Sequence, residues 1–140
     1  MTRWRVAVAG ALAMSVLGAV PGLAQTETAR PRLVPPVRGE ARLGHLAPVT
    51  KAEGKDMVTT WRLKNLSSAP IAGLKVEEFW YDSSNNLVPG DSQTVRKPIP
   101  PGEVITVVLR TPRDTRMKQA QYRFSHQNGT VKTESLKTLE

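Results

Sequence analysis

Four basic side chains offer the clearest chemistry in this sequence. They fall within nine residues, around Pro112, and Asp114 is the only acidic residue between them. Such a cluster attracts phosphate and carboxylate groups through its positive field, and a solvated loop with no ligand is the alternative interpretation. The candidate site for an anionic surface, ligand or partner is therefore made of Arg110, Arg113, Arg116 and Lys118.

The residues that commonly carry catalysis form no recognisable pattern. His45 and His126 belong to no metal-binding spacing such as H-x-H or H-E-x-x-H. No serine lies in G-x-S-x-G or S-x-x-K, and no glycine-rich phosphate loop is present. Glu77 and Glu78 are adjacent, so in a strand they point to opposite faces and cannot act as an acid–base pair. We expect no catalytic, cofactor or metal site, and no enzyme.

Composition narrows the classes further. The chain has 140 residues and no cysteine, which excludes disulfides, thiol catalysis and cysteine-based metal sites. Its net charge of +8 would attract anionic surfaces weakly or simply keep the protein soluble. Nucleic acid is not an expected partner, because the chain has only three Trp, two Tyr and two Phe and several of these belong to core patterns.

The N-terminus has the three parts of a secretory signal peptide. A basic head, Met1–Arg5, precedes an apolar run over 6–20, and small residues at Gly22 and Ala24 predict cleavage before Gln25. The run is shorter than the roughly 20 residues that span a bilayer, although an uncleaved anchor is the alternative. Residues 1–24 are therefore expected to direct the protein to the periplasm or outside the cell. No later segment is apolar enough to cross a membrane.

The mature chain divides into a linker and one domain. Prolines at 31, 35 and 36 predict an extended linker over 25–40. Residues 41–140 then alternate between β-forming segments and turn residues. Val104–Leu109 is the most hydrophobic segment, which predicts a central strand. Pro89-Gly90 predicts a bulge or a late start of its strand, as at a sheet edge. The predicted strands cover 41–49, 57–65, 74–82, 87–97, 104–109, 120–126 and 130–136.

Turn chemistry and strand spacing predict the fold class. Asn128-Gly129 predicts a two-residue type I′ hairpin between the last two strands. Only residues 114–118 could form a helical turn, and five residues are too few for a stable helix. About seven strands at this spacing predict an all-β, immunoglobulin-like antiparallel sandwich. A small barrel is the alternative.

Three short motifs resemble bacterial exported domains of the FxLYD type. They are Trp61–Asn65, Leu74–Asp82 and Ile99–Glu103, within about residues 55–111. The resemblance implies a fibronectin-III-like sandwich and no enzymatic activity. It also implies that Trp61 on the second strand packs against Tyr122 on the sixth, and Tyr122 resembles a tyrosine corner two residues before Phe124.

Glu78 departs from the FxLYD pattern, because phenylalanine is expected at its position. It falls in phase with Leu74 and Val76 on the predicted core face, and burying an unpartnered carboxylate is costly. We expect a β-bulge that turns Phe79 inward. The alternatives are a cationic partner for Glu78 or a different alignment.

These observations leave three function hypotheses. The first is a non-enzymatic interaction module of the bacterial envelope, whose partner is an unknown envelope protein, and an unpaired strand edge would support it. The second is weak binding of an anionic surface or ligand through the basic residues from Arg110 to Lys118. The third, an enzyme of unrecognised class, would need a pocket with converging carboxylates or histidines.

Overall fold

The computed structural model describes residues 33–140, so the predicted signal peptide and the first part of the linker lie outside the described residues. The described chain is all-β and contains no helix, which confirms the predicted class, and no segment in it forms a membrane-spanning helix. The nine strands are β1 Ala41–His45, β2 Val49–Glu53, β3 Asp56–Asn65, β4 Leu74–Tyr81, β5 Leu87–Val88, β6 Ser92–Val95, β7 Val104–Pro112, β8 Gln119–His126 and β9 Gly129–Ser135.

Two of the predicted strands are interrupted by one-residue shifts in register. β1 and β2 both pair with β3, but His45 lies opposite Leu63 whereas Val49 lies opposite Thr60. β5 and β6 likewise both pair with β4, and the shift between them falls at 89–91. The break at Pro89-Gly90 therefore lies where the sequence predicts a bulge. All seven predicted segments contain strand.

The sheet is mixed, so the predicted antiparallel arrangement is wrong for one pair of strands, and the other pairs are antiparallel. β1 pairs with β9 in parallel over five residue pairs, from Ala41 opposite Val131 to His45 opposite Ser135. This ladder joins the first and last strands of the domain. The hydrogen-bonded order is β7-β3-β1-β9-β8-β4-β6, with β2 extending β1 along β3 and β5 extending β6 along β4. The sheet curls, and β6 approaches β7.

The core lies on the inner face of this curled sheet. Leu74, Val76, Glu78 and Trp80 alternate inward along β4. Trp61 makes edge-to-face contacts with Tyr122 at 4.9 Å and with Phe124 at 5.1 Å between ring centroids, as the resemblance implies for Trp61 and Tyr122. The main buried cluster is formed by Ala41, Leu43, Trp61, Leu63, Ile71, Leu74, Val76, Ile99, Val107 and Leu109.

The prediction that Val104–Leu109 forms a central strand is wrong. β7 pairs only with β3 in the described sheet, so it is an edge strand. Val107, Leu109 and Thr111 are buried, while Thr106, Val108 and Arg110 are exposed. Only one face of the segment is buried, but its exposed face carries Thr106 and Val108 where edge strands usually carry charge. The segment therefore lacks charge on both faces, as a central strand would.

The last hairpin forms as predicted, but its turn is one residue earlier. His126 pairs with Gly129, so Gln127 and Asn128 occupy the two-residue loop. Neither has the positive φ that a type I′ turn requires. Gly129 is needed for another reason, since a Cβ there would overlap the Gly39 carbonyl oxygen.

Candidate functional site

Two of the four predicted basic residues meet the turn between β2 and β3. Arg110 lies near the end of β7, and its guanidinium is 3.4 Å from Glu53 Oε2 and 3.9 Å from Asp56 Oδ2. The Arg113 amide donates to the Lys55 carbonyl at 2.8 Å, and its guanidinium reaches the Gly54 carbonyl at 3.4 Å. Arg110 is thus ion-paired, whereas Arg113 and the turn line a shallow open pocket with residues 112–115.

The other two lie beside the end of β4. Arg116 forms a two-pronged pair with Asp114, with Nη2 to Oδ2 at 2.6 Å and Nε to Oδ1 at 3.0 Å. These hydrogen bonds, with one from the Arg116 amide, lower the pKa of Asp114 to about 2. The Lys118 amide donates to the Tyr81 carbonyl at 2.9 Å.

The four predicted site residues therefore divide into two pairs. Arg110 and Arg113 contact the β2–β3 turn, and Arg116 and Lys118 lie near the end of β4. Two of the guanidinium groups face carboxylates within the same domain. Surface ion pairs of this kind are weak, but they reduce the positive field that an external anion would meet.

Glu78 is the least expected feature of the core. Its side chain is 2 % exposed, and Oε1 accepts hydrogen bonds of 2.8 Å from Trp80 Nε1 and from Thr111 Oγ1. The ladder between β4 and β8 is continuous from Lys75 to Tyr81. The predicted bulge is therefore wrong at this position, because two neutral donors hold the carboxyl group without any rearrangement of the strand.

Tyr122 joins this buried polar cluster from β8. Burial of the phenol raises its pKa above the ordinary value of 10.0, and the nearby Glu78 carboxyl raises it further. Hydrogen bonds with the hydroxyls of Thr59 and Thr50 act in the opposite direction. The Tyr122 hydroxyl thus meets side chains of β2, β3 and β4, whereas a tyrosine corner would bond back to nearby backbone.

Both histidines contact neighbouring backbone or aromatic groups of the domain. The His126 ring lies between the Gly39 carbonyl, 2.6 Å from Nε2, and the Asn128 amide, 3.3 Å from Nδ1. His45 makes an edge-to-face contact with Trp61 at 5.2 Å between ring centroids. Within residues 33–140, no three His, Cys, Asp or Glu side chains are grouped as a metal site.

The outer edge of β7 has backbone hydrogen-bonding groups that pair with no strand of the described residues. The Arg110 amide points away from β3 and donates to Asp91 Oδ2 at 2.9 Å. Backbone groups in a strand alternate in direction, so the N–H and C=O groups of Thr106 and Val108 also point away from β3. No strand in the described residues pairs with this side of β7. The unpaired stretch runs from Val104 to Val108 and ends where Asp91 covers the next amide.

The other edges carry devices that discourage pairing. β2 presents Lys51 and Glu53 and is exposed along its whole length. The β5–β6 edge contains Pro89 and the register shift, and Arg96 and Lys97 follow it. Charge, proline and bulges are the usual protection against strand addition, and Val104–Leu109 has none of them. Val108 is also 40 % exposed.

The sequence contained a signal for this edge that admits two interpretations. An uncharged run of β-branched residues fits a strand buried between neighbours, and it fits equally an edge that accepts another strand. The two interpretations can be distinguished only in the structure, where β7 pairs with β3 and with no other strand of the described residues. Asp91, which sets the end of the open stretch, carries no sequence signal because it acts on a strand 19 residues away.

Searches of family models, of curated proteins and of solved structures find nothing that matches this chain.

Proposed function

We propose that this protein is a non-enzymatic interaction module of the bacterial envelope, acting in the periplasm or outside the cell, which binds an extended protein segment as an added strand on β7. The observation that carries the proposal is the edge from Val104 to Val108, with which no described strand pairs although β6 approaches β7. Added strands gain affinity from main-chain hydrogen bonds and specificity from alternating side chains. At this edge the backbone N–H and C=O groups of Thr106 and Val108 point away from β3, and the side chains of both residues are exposed.

An immunoglobulin-like sandwich is the fold we propose for this module. Pairings of β3 with β1–β2 and with β7 correspond to the A-B-E layer of such a sandwich, and pairings of β8 with β4 and with β9 correspond to its C-F-G layer. In a constant-type immunoglobulin sandwich a strand D lies beyond E, and no described strand pairs with β7 at that position. The proposed partner segment would occupy that position.

Site-specific photo-crosslinking in the producing cell tests the proposal. The full chain is expressed with a photo-reactive side chain at Thr106, or at Thr94 on the protected β6 edge as the matched control. We expect a discrete adduct from position 106 that is absent from position 94. It should be lost in Val108→Lys and retained in Leu87→Lys, which adds the same charge to another exposed aliphatic residue at an edge.

Two outcomes contradict the proposal. One is the absence of any adduct specific to position 106. The other is an adduct that survives Val108→Lys, because a positive charge in the middle of the open edge should prevent a strand from pairing there.

A further inference from the structure

We infer that the segment bound at the β7 edge is the β7 edge of a second copy of this chain, paired antiparallel about Thr106. This inference rests on the proposed function, since it names the partner of the same edge. A second copy is favoured because three properties of the described residues fit a symmetric pair: the side-chain pattern of β7, its charges and the remaining edges.

The open stretch is self-complementary when Thr106 lies opposite its own copy. In this register Val104 lies opposite Val108 of the second chain, and Ile105 lies opposite Val107. Outward residues then meet outward residues and buried residues meet buried ones, as the alternation along β7 requires. Every cross-strand pair at the centre contains a β-branched residue, and such pairs stabilise sheets.

The charges are compatible with this register. Arg110 lies opposite Gly102 of the other copy, so the two Arg110 positions are eight residues apart, or about 26 Å along the strands. That distance exceeds the Debye length of roughly 8 Å at physiological salt. Asp91 covers the Arg110 amide, and the new ladder therefore spans the uncharged stretch from Val104 to Val108 in each chain.

The remaining edges stop the assembly at two chains. A two-fold pair uses the same edge of both copies and leaves no further β7 edge exposed. The edges that stay outside are β2, with Lys51 and Glu53, the broken β5–β6 edge, and the side of β8 that β9 leaves unpaired before Ser125, which carries the exposed Arg123. A foreign segment would protect one edge at a time, whereas a second copy protects both at once and closes the assembly.

Sedimentation equilibrium of the purified mature chain tests the inference. We expect a mass twice that of one chain, reduced to one in Val108→Lys and unchanged in Leu87→Lys. Circular dichroism of both variants checks that the β structure is kept. If Val108→Lys does not fold, Thr106→Lys places the charge on the same edge and takes its part.

Engineered cysteines test the register, since the natural chain has none. Thr106→Cys chains should form an intermolecular disulfide faster than Val108→Cys chains, because residue 106 lies opposite its own copy whereas residue 108 lies opposite residue 104. Equal rates in the two variants would overturn the register, and a dimer unaffected by Val108→Lys would overturn the interface.

The two proposals fail separately. A mature chain that stays monomeric at the highest soluble concentration overturns the second-copy inference. In that case, an adduct at position 106 with a different protein would still support strand addition as the function. The absence of any adduct at 106 contradicts both.

Discussion

At the scale of single residues, Glu78 illustrates how a carboxyl group can be accommodated in a β core. No basic side chain forms an ion pair with it in the described residues, and its Oε2 atom is buried without a hydrogen-bond partner there. Oε1 accepts from Trp80 and Thr111, so the group ties β4 to β7 across the core. The strand phase predicts that Glu78 is buried. The hydrogen bond from Thr111 cannot be predicted from the sequence, because Thr111 is 33 residues away.

Replacing Glu78 tests how much this tie contributes. Glu78→Ala removes the shared acceptor and leaves a cavity, and we expect the free energy of unfolding to fall by about 2–5 kcal/mol. Glu78→Gln keeps one acceptor oxygen and should lose about 1 kcal/mol. Urea unfolding followed by tryptophan fluorescence measures both. Glu77→Ala, on the outer face beside Lys75, is the control with a small expected loss. Equal stability of the Ala and Gln variants would contradict the role of the acceptor.

Asp114 gives a prediction about pH at the same scale. Hydrogen bonds from Arg116 lower its pKa from 3.8 to about 2. A lowered pKa means that the folded state favours the ionised form, so the contribution of this pair is present above about pH 4 and is lost as the pH falls through 2. In a carboxyl-carbon NMR titration, Arg116→Gln should move the midpoint of Asp114 up toward 3.8.

The matched control for this titration is Arg113→Gln, because the Arg113 guanidinium contacts the Gly54 carbonyl and not Asp114. Its Asp114 midpoint should stay near 2. A wild-type midpoint close to 3.8 would show that the pair does not persist in solution.

At the scale of elements, Asn65 holds two connections together at the end of β3. It is 1 % exposed, and its side-chain amide donates to the carbonyls of Ala69 at 3.0 Å and Ile99 at 2.8 Å. Its Oδ1 accepts from the Ser67 amide at 2.8 Å. The connection after β3 and the one before β7 are therefore fixed by one side chain, which gives a structural reason for asparagine at the end of the motif Trp61–Asn65.

Asn65→Ala should destabilise the domain by about 2–4 kcal/mol, because it removes three hydrogen bonds. The part-buried Ser67 amide and Ala69 carbonyl lose these partners, and the Ile99 carbonyl keeps only its bond from the Ile71 amide. The free energy of unfolding in urea measures the effect. Asn86→Ala removes an exposed asparagine that bonds Asp82, and it should change stability by less than about 1 kcal/mol. Similar losses in the two variants would show that Asn65 is not a special position.

Elements also show where prediction from sequence reaches its limit. The period-two patterns locate the strands well, since alternation depends only on which face is buried, as β4 and β8 illustrate. They do not determine neighbours. β7 was expected at the centre because Val104–Leu109 lacks charge, and the turn at Asn128-Gly129 shifted by one residue because Gly129 is required beside Gly39.

At the scale of the whole molecule, the predicted signal peptide over residues 1–24 can be tested directly. If residues 1–24 are a signal peptide, the protein recovered from the periplasm or medium begins at Gln25, because small residues at Gly22 and Ala24 fit the cleavage pattern. Intact-mass spectrometry of the recovered protein measures this directly. A chain that retains Met1 and stays with the membrane would support the uncleaved anchor instead.

The candidate basic site remains a prediction at this scale, since its four residues form two separate pairs.

The parallel pairing of β1 with β9 determines how the molecule would respond to a pulling force. The chain enters β1 at Ala41, opposite Val131, and leaves β9 at Ser135, opposite His45, so the two ends of this ladder are drawn in opposite directions. Tension between the termini therefore acts along the strands and loads all five residue pairs together, in shear, where a hairpin would open one pair at a time. A domain tethered by its N-terminal segment and pulled from its C-terminus would resist extension until the whole ladder yields in one step.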